Sequence, residues 1–179
     1  MLQHDIMLLI GGIYMIENRI KLVPITYESE NIFKNLMTLY LHDLSEYTND
    51  LKINDVGLFE YEGIEFYFKE EDLKPFFIYY EENIAGFVLL NSGKFTPKNA
   101  EFCIHEFFIL KSYRKKGIGT ETINKLLEKY KGKYIVAQLA ENKPAISFWH
   151  NYYTNNNINY IENERTIDDV QCITQIFEV

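Results

Sequence analysis

The feature that most constrains this chain is a junction. Residues 101–110 read EFCIHEFFIL, a nearly continuous aromatic and β-branched run. Such a run is the signature of a central strand buried on both faces. It leads into a turn, Lys111 to Lys116, and then into a helix that begins near Gly117. Ile123, Leu126, Leu127 and Tyr130 give that helix one apolar face, and Gly132 ends it. A strand feeding a glycine-containing turn into a helix N-terminus makes an anion site. The first helical N–H groups have no intrahelical partner, and the helix dipole adds partial positive charge. Gly117 and Gly119 lack a Cβ, so a diphosphate can approach the backbone.

Charge sharpens this point. The chain carries a net charge of -8, yet Lys111, Arg114, Lys115 and Lys116 crowd one turn. A local excess of cation against the global sign calls for a polyanionic ligand. The loop is not a Walker loop, because no Gly-Lys-Ser/Thr follows. It also lacks the longer glycine fingerprint of a dinucleotide site. The acidic total disfavours nonspecific nucleic-acid binding, which needs a basic face. Cys103 and Cys172 lie in apolar runs and read as reduced, buried thiols of a cytoplasmic protein. The four His are scattered, without metal-ligand spacing.

The remaining pattern is that of one α/β domain over 18–179. Residues 1–17 are read as a non-functional extension. Their apolar run, Ile6 to Ile16, is too short to span a membrane. Ile20 to Thr26 alternates as a first strand, with Pro24 placing it near an edge. Ser29 can cap a helix carrying Ile32, Phe33, Leu36, Leu39 and Tyr40 on one face. Thr48 to Gly63 is polar, and a short helix is expected over 64–73, before Pro75. Residues 76–80 and 84–91 form a hairpin turning at Asn83, with Gly86 as a close-approach position. Strand 134–139, helix 142–153 with Pro144 in its first turn, and strands 158–162 and 171–177 complete the order βααβββαβαββ. The last two strands are joined across Arg165 to Asp169.

The pattern R-x-x-G-x-G after an aromatic strand, followed by a helix opening at Asn142-Lys-Pro-Ala145 and continuing to Phe148-Trp149, resembles the GNAT acetyltransferase superfamily. The segments Leu41 to Tyr47 and Glu106-Phe-Phe-Ile109 look like a bacterial subgroup of predicted acetyltransferases. The resemblance implies a mixed central sheet with a splayed strand pair and acetyl-CoA as co-substrate, with no metal. It implies that Phe107, Phe108 and Ile109 pair through their backbone with the pantetheine arm. Arg114, Lys115, Lys116, Gly117, Ile118 and Gly119 then hold the pyrophosphate. Asn142 hydrogen-bonds the arm or a water, and Phe148 flanks it. A β-bulge N–H near Ile109 receives the acyl oxygen. Such folds often dimerise through edge strands, so a homodimer is compatible with the resemblance.

Direct attack by an amine in a ternary complex requires the ammonium, with pKa ~10, to lose a proton. Glu106 is the best candidate base, since it lies on the acyl-site strand among Phe102, Phe107 and Phe108. His105 is the alternate base, and strict alternation points it to the opposite sheet face. The family's proton-donating Tyr falls on Trp149, whose indole cannot serve as an acid, so Tyr152 or Tyr153 is the substitute. Asp43 and Glu46, with Trp149, are candidates for binding a cationic small-molecule or peptide amine. The expected function is therefore an N-acetyltransferase of primary amines. The alternatives are a noncatalytic acyl-CoA sensor and a nucleotide-binding protein using the same turn. No membrane or nucleic-acid partner is expected.

Overall fold

The computed structural model describes residues 19–179. The expected extension over 1–17 lies outside the described residues. The strands are β1 (Ile20–Pro24), β2 (Leu73–Tyr80), β3 (Asn83–Ser92), β4 (Phe102–Ile109), β5 (Lys133–Leu139), β6 (Tyr160–Ile167) and β7 (Val170–Glu178). The helices are α1 (Glu30–Leu44), α2 (Ile118–Lys129) and α3 (Lys143–Asn156). The sheet order is β1-β2-β3-β4-β5-β7-β6. Among the described strands only β4 and β5 pair in parallel, as their α2 crossover requires.

The sheet separates two cores. On one face α2 and α3 set Ile118, Ile123, Leu126, Trp149 and Tyr153 against Val88, Leu90, Ile104 and Val136. On the other face α1 sets Phe33, Leu36, Met37 and Leu41 against Phe77, Phe87, Leu89 and Phe108. Each such side chain contributes about 1.5–3 kcal/mol when fully buried. The strand covered on both faces is β3, buried without interruption from Ala85 to Ser92. The β4 run lies centrally but is only partly covered, because its second half has left β5.

Several local elements differ from the sequence expectation. The helix expected over 64–73 is a short 3-10 turn, Ile64–Phe68, and Leu73 already opens β2. Pro75 fits inside that strand because its carbonyl accepts from Ile25 N at 2.9 Å, just past the end of β1. Its missing N–H therefore falls where no ladder partner remains. The first hairpin turns at Glu81-Glu82, with Glu81 at φ 55°, while Asn83 pairs with Tyr80. Ser29 stands at the N-cap of α1, but its hydroxyl bonds back to Thr26. The last hairpin is tighter than expected. Ile167 pairs with Val170, and Asp168 and Asp169 both take positive φ, as a primed turn demands.

Candidate functional site

Two bulges and one divergence shape the middle of the sheet. Ile78 pairs with Gly86 and Tyr79 with Ile84, so Ala85 is an extra residue in β3. Leu89 pairs with Glu106 and Leu90 with Ile104, so His105 is an extra residue in β4. The β4–β5 ladder ends at Ile104 and Val136. Beyond it the two strands part, and residues 105–109 face 137–139 across a cleft.

Backbone direction in the parted half of β4 is fixed by its neighbours. Leu110 N donates to Ala85 O at 2.8 Å, so Leu110 turns its peptide groups toward β3. Peptide groups alternate between the two edges of a strand. Phe108 therefore also faces β3, while Phe107 and Ile109 face the cleft. The approach of β3 to β4 here is close: a Cβ on Gly86 would lie 1.9 Å from Phe108 O. Gly86 is thus a close-approach glycine, as its sequence position suggests. The β4 bulge lies at His105, four residues before the expected place near Ile109, and Ile109 itself pairs with Gly86.

The loop after β4 is held open by two left-handed residues. Lys115 has φ 59° and Gly117 has φ 78°. The first costs about 1–2 kcal/mol for a residue with a Cβ. Gly117 caps α2, and a Cβ there would meet no atom within 4 Å. The two glycines are therefore different. Gly117 supplies conformation beside open space, whereas a Cβ on Gly119 would lie 3.1 Å from Phe148 and 3.6 Å from Phe107. Gly119 lets α2 pack against α3, and Ile118 is a core side chain at 2% exposure. The free N–H groups of the first turn of α2 open beside Lys115 and Lys116, both exposed.

Half of the basic cluster is committed within the protein. Arg114 Nε donates to Ile109 O at 2.7 Å, and its Nη2 donates to Asp43 Oδ2 at 2.5 Å. Lys111 Nζ lies 3.1 Å from Asp43 Oδ1. Asp43 is therefore not an open carboxylate for a cationic acceptor. It fastens the loop to the end of α1. Burial works to raise its pKa, but the hydrogen bonds from Arg114 and Lys111 outweigh that and hold it below the usual Asp range. The guanidinium of Arg114 is likewise a loop fastener, which leaves Lys115 and Lys116 as the cations facing outward.

Across the cleft, Phe107 packs on Phe148 with ring centroids 5.8 Å apart. Asn142 caps α3, its Oδ1 accepting from Ala145 N at 3.1 Å. Trp149 is 4% exposed, stacked on Tyr153 and packed on Phe107 and Phe177. This core packing leaves it no open face for an acceptor. The Tyr152 hydroxyl donates to Asn124 Oδ1 at 2.7 Å, and burial pushes its pKa up to about 12. Glu46 is exposed in the turn after α1, apart from both clusters.

Glu106 lies on the α1 face, with its side chain 16% exposed. The Tyr40 hydroxyl donates to Glu106 Oε2. Burial pushes the Glu106 carboxyl above the ordinary Glu range. The His105 charge and the Tyr40 and Tyr61 hydroxyls pull the other way without cancelling it. His105 does not point to the opposite face, as alternation would have it. The bulge brings its Nε2 to 3.9 Å from Glu106 Oε1. Tyr67 donates to Asn91 Oδ1 at 3.1 Å nearby. Tyr40, Tyr61, Tyr67 and Asn91 were not legible as site residues in the sequence. Tyr40 sat in a helical apolar stripe, and the other three carried no local signal. Residues 45–72 supply nine Asp and Glu against two Lys, so most of the net negative charge flanks this face. Cys103 is half-buried beside Glu106 rather than fully buried as expected, and desolvation together with that charge pushes its thiol up to about 12, so it is not a nucleophile.

A sheet parted between two parallel strands, with a helix N-terminus near its mouth and a buried carboxylate on the parted strand, is the architecture of an acyltransferase. Residues 34–152 match the acetyltransferase (GNAT) family, and the chain belongs to that family. Solved structures of the same fold include an acetyltransferase from Thermus thermophilus, at 9% identity and TM-score 0.65, covering 89% of this chain and 97% of that one. The aminoglycoside acetyltransferase AAC(6')-Ib in complex with coenzyme A and kanamycin is similar at 15% identity and TM-score 0.60, covering 89% and 94%. NAA60 of Arabidopsis thaliana, in complex with a bisubstrate analogue, follows at 14% identity and TM-score 0.53, covering 89% and 99%. No curated protein sequence matches the chain. Among the described residues, no helix is long and apolar enough to cross a membrane.

Proposed function

We propose that this protein is an acetyl-CoA-dependent N-acetyltransferase, comprising one domain over 18–179, that acts on a primary amine of a small molecule or peptide. The observation that carries the reading is the parting of β4 from β5 after Ile104 and Val136, with Glu106 on the parted strand. The pantetheine arm lies in the cleft and pairs with the peptide groups of Phe107 and Ile109. The diphosphate meets the N–H groups from Gly117 to Gly119, with Lys115 and Lys116 outside it. The two fold relatives with coenzyme A or a bisubstrate analogue are consistent with this donor.

The acceptor approaches from the α1 face, where the acidic segment 45–72 attracts a cation. Glu106 takes the ammonium proton, directly or through a water. A carboxyl raised above the ordinary Glu range is a stronger base for that transfer, which contributes about 10²–10⁴-fold. The amine attacks the thioester carbon, the C–S bond breaks, and the thiolate takes its proton from solvent. Trp149 is sealed in the core and Tyr152 is bonded to Asn124, so neither fits the role of proton donor. The protein works in the cytoplasm on this reading. Acetyl transfer from labelled acetyl-CoA across a panel of polyamines, aminoglycosides and peptides tests it. Product with at least one amine is expected, and none with any amine would remove the catalytic reading.

The missing proton donor gives a second reading specific support: a noncatalytic acyl-CoA sensor. That protein would gain thermal stability from coenzyme A yet turn over no amine.

A further inference from the structure

Gln138 stands in β5 where the two strands part. It follows Tyr134 and Val136 in the alternation of the strand, so its side chain lies on the face covered by α2 and α3. Since Val136 makes the last pair with β4, Gln138 is the first residue on that face inside the cleft. It is 7% exposed, and neither its Nε2 nor its Oε1 hydrogen-bonds another protein group among the described residues. Exchanging the two atoms changes nothing, because neither has a partner.

Another glutamine on the same face makes the contrast. Gln175 is 0% exposed, and both ends of its amide are bonded. Its Oε1 accepts from the Tyr153 hydroxyl at 3.3 Å, and its Nε2 donates to Glu162 Oε2 at 2.7 Å. The fold gives one buried amide a partner at each end and leaves the other, at the cleft, with none among the described residues. A buried amide without a partner destabilises the folded chain, and an apolar residue of the same size would avoid that cost. Such a group calls for a role beyond packing.

We propose that Gln138 anchors the pantetheine arm of the acyl-CoA donor by hydrogen-bonding to its secondary amides. The Gln138 N–H donates to the oxygen of one amide of the arm, and Oε1 accepts the N–H of the other, because a trans amide turns its oxygen and its N–H to opposite sides. The chemistry selects this partner. Gln138 offers one donor and one acceptor side by side on a planar group. A diphosphate and a thioester only accept, and an acetyl methyl does neither. The secondary amides of the arm together present both complementary groups. The cleft would then grip the arm from two sides, by backbone from Phe107 and Ile109 and by this side chain from β5. The proposal rests on the coenzyme reading given above.

Isothermal titration of the wild type and of Gln138→Leu with two probes, coenzyme A and adenosine 3′,5′-bisphosphate, tests it. The second probe lacks the arm. The Leu variant should bind coenzyme A about tenfold more weakly, and adenosine 3′,5′-bisphosphate equally well. Its unliganded Tm should be equal or higher, because an unpaired buried amide has gone. Gln138→Met, unbranched and of similar length, gives the same comparison if the Leu variant does not fold. Unchanged coenzyme A affinity in the variants overturns the Gln138 assignment, as does an equal loss for both probes. A wild type that binds neither probe overturns the coenzyme reading itself, and this proposal with it.

Discussion

The two sides of β4 are built by different means. On the function proposed above, the donor side, toward α2 and α3, uses backbone: the peptide groups of Phe107 and Ile109 and the positive φ angles of Lys115 and Gly117. Its parts come from two short stretches, 107–119 and 138–148. The α1 side uses side chains gathered from distant segments. Tyr40, Tyr61 and Glu106 meet there, with Tyr67 and Asn91 beside them. Between Leu44 and Leu73 the chain has no helix or strand beyond the turn Ile64–Phe68. A common thioester chemistry suits a donor side fixed by backbone geometry. An acceptor side made of side chains on irregular chain can change identity without disturbing the sheet.

The comparison breaks first at Gly86, which sets how closely β3 and β4 approach and so underlies both sides. Gly86→Val puts a branched side chain where a Cβ already reaches 1.9 Å from Phe108 O. The backbone cannot yield without losing the bulge. Denaturant melts should show a loss of more than about 3 kcal/mol, or no folded protein. Retained stability would mean that the strands are not held as described.

Glu106→Gln separates the sides most sharply. Transfer should fall about 10²–10⁴-fold in kcat, with coenzyme A affinity unchanged. The variant should also be the more stable protein at neutral pH. The folded pKa of Glu106 is raised by burial. Its favourable contribution is therefore complete below the ordinary Glu range and is lost as pH rises through the raised value. The Gln variant lacks that loss, which melts at several pH values will report. Full activity in the variant would hand the base role to another group.

Gly117→Val tests the donor side alone. There is room for a Cβ, so the fold should survive with a loss of about 1–2 kcal/mol from the left-handed backbone. Coenzyme A binding by titration should nevertheless disappear. Undiminished affinity would remove the loop from the site.

The smallest effect is expected from Asp43→Ala, which removes a contact between the loop and the end of α1. Freed from their fastener, Arg114 and Lys111 should leave the loop looser and coenzyme A binding weaker by about fivefold, in line with a partly buried pair worth about 1 kcal/mol. Asp43 has a lowered folded pKa. The stability it contributes is present above the ordinary Asp range and is lost as pH falls through the lowered value. Wild type should therefore lose its margin over the Ala variant in acid.

Much of the fold was legible because its signals are local. The helices showed their apolar periodicity at Phe33, Leu36, Ile123 and Leu126, and β4 its aromatic run. Glycines mark three special backbone positions, Gly86, Gly117 and Gly119, although Gly119 proved to serve helix packing. The glycine loop between β4 and α2 was legible for the same reason, since contiguous residues make it. The use of its charges was not. Four cations in one turn suggest a polyanion, and nothing in the sequence tells that Asp43, 71 residues before Arg114, satisfies two of them. Trp149 likewise lies in a substrate wall by sequence position and in a core by contact.

The sequence by itself determined the order of the strands and of the three long helices, the glycine loop and a carboxylate on the central strand, because each depends on residues a few positions apart. Only the tertiary structure decided which way those residues face. A single extra residue at His105 reverses the alternation of β4, carries Glu106 to the α1 face and brings His105 beside it. The parting of β4 from β5 leaves the Gln138 amide buried in the cleft with no hydrogen-bond partner among the described residues. Register is the physical reason. Side chains in a strand alternate with a period of two, so one residue of slip, set by pairing with a neighbouring strand, moves every side chain beyond it to the other face.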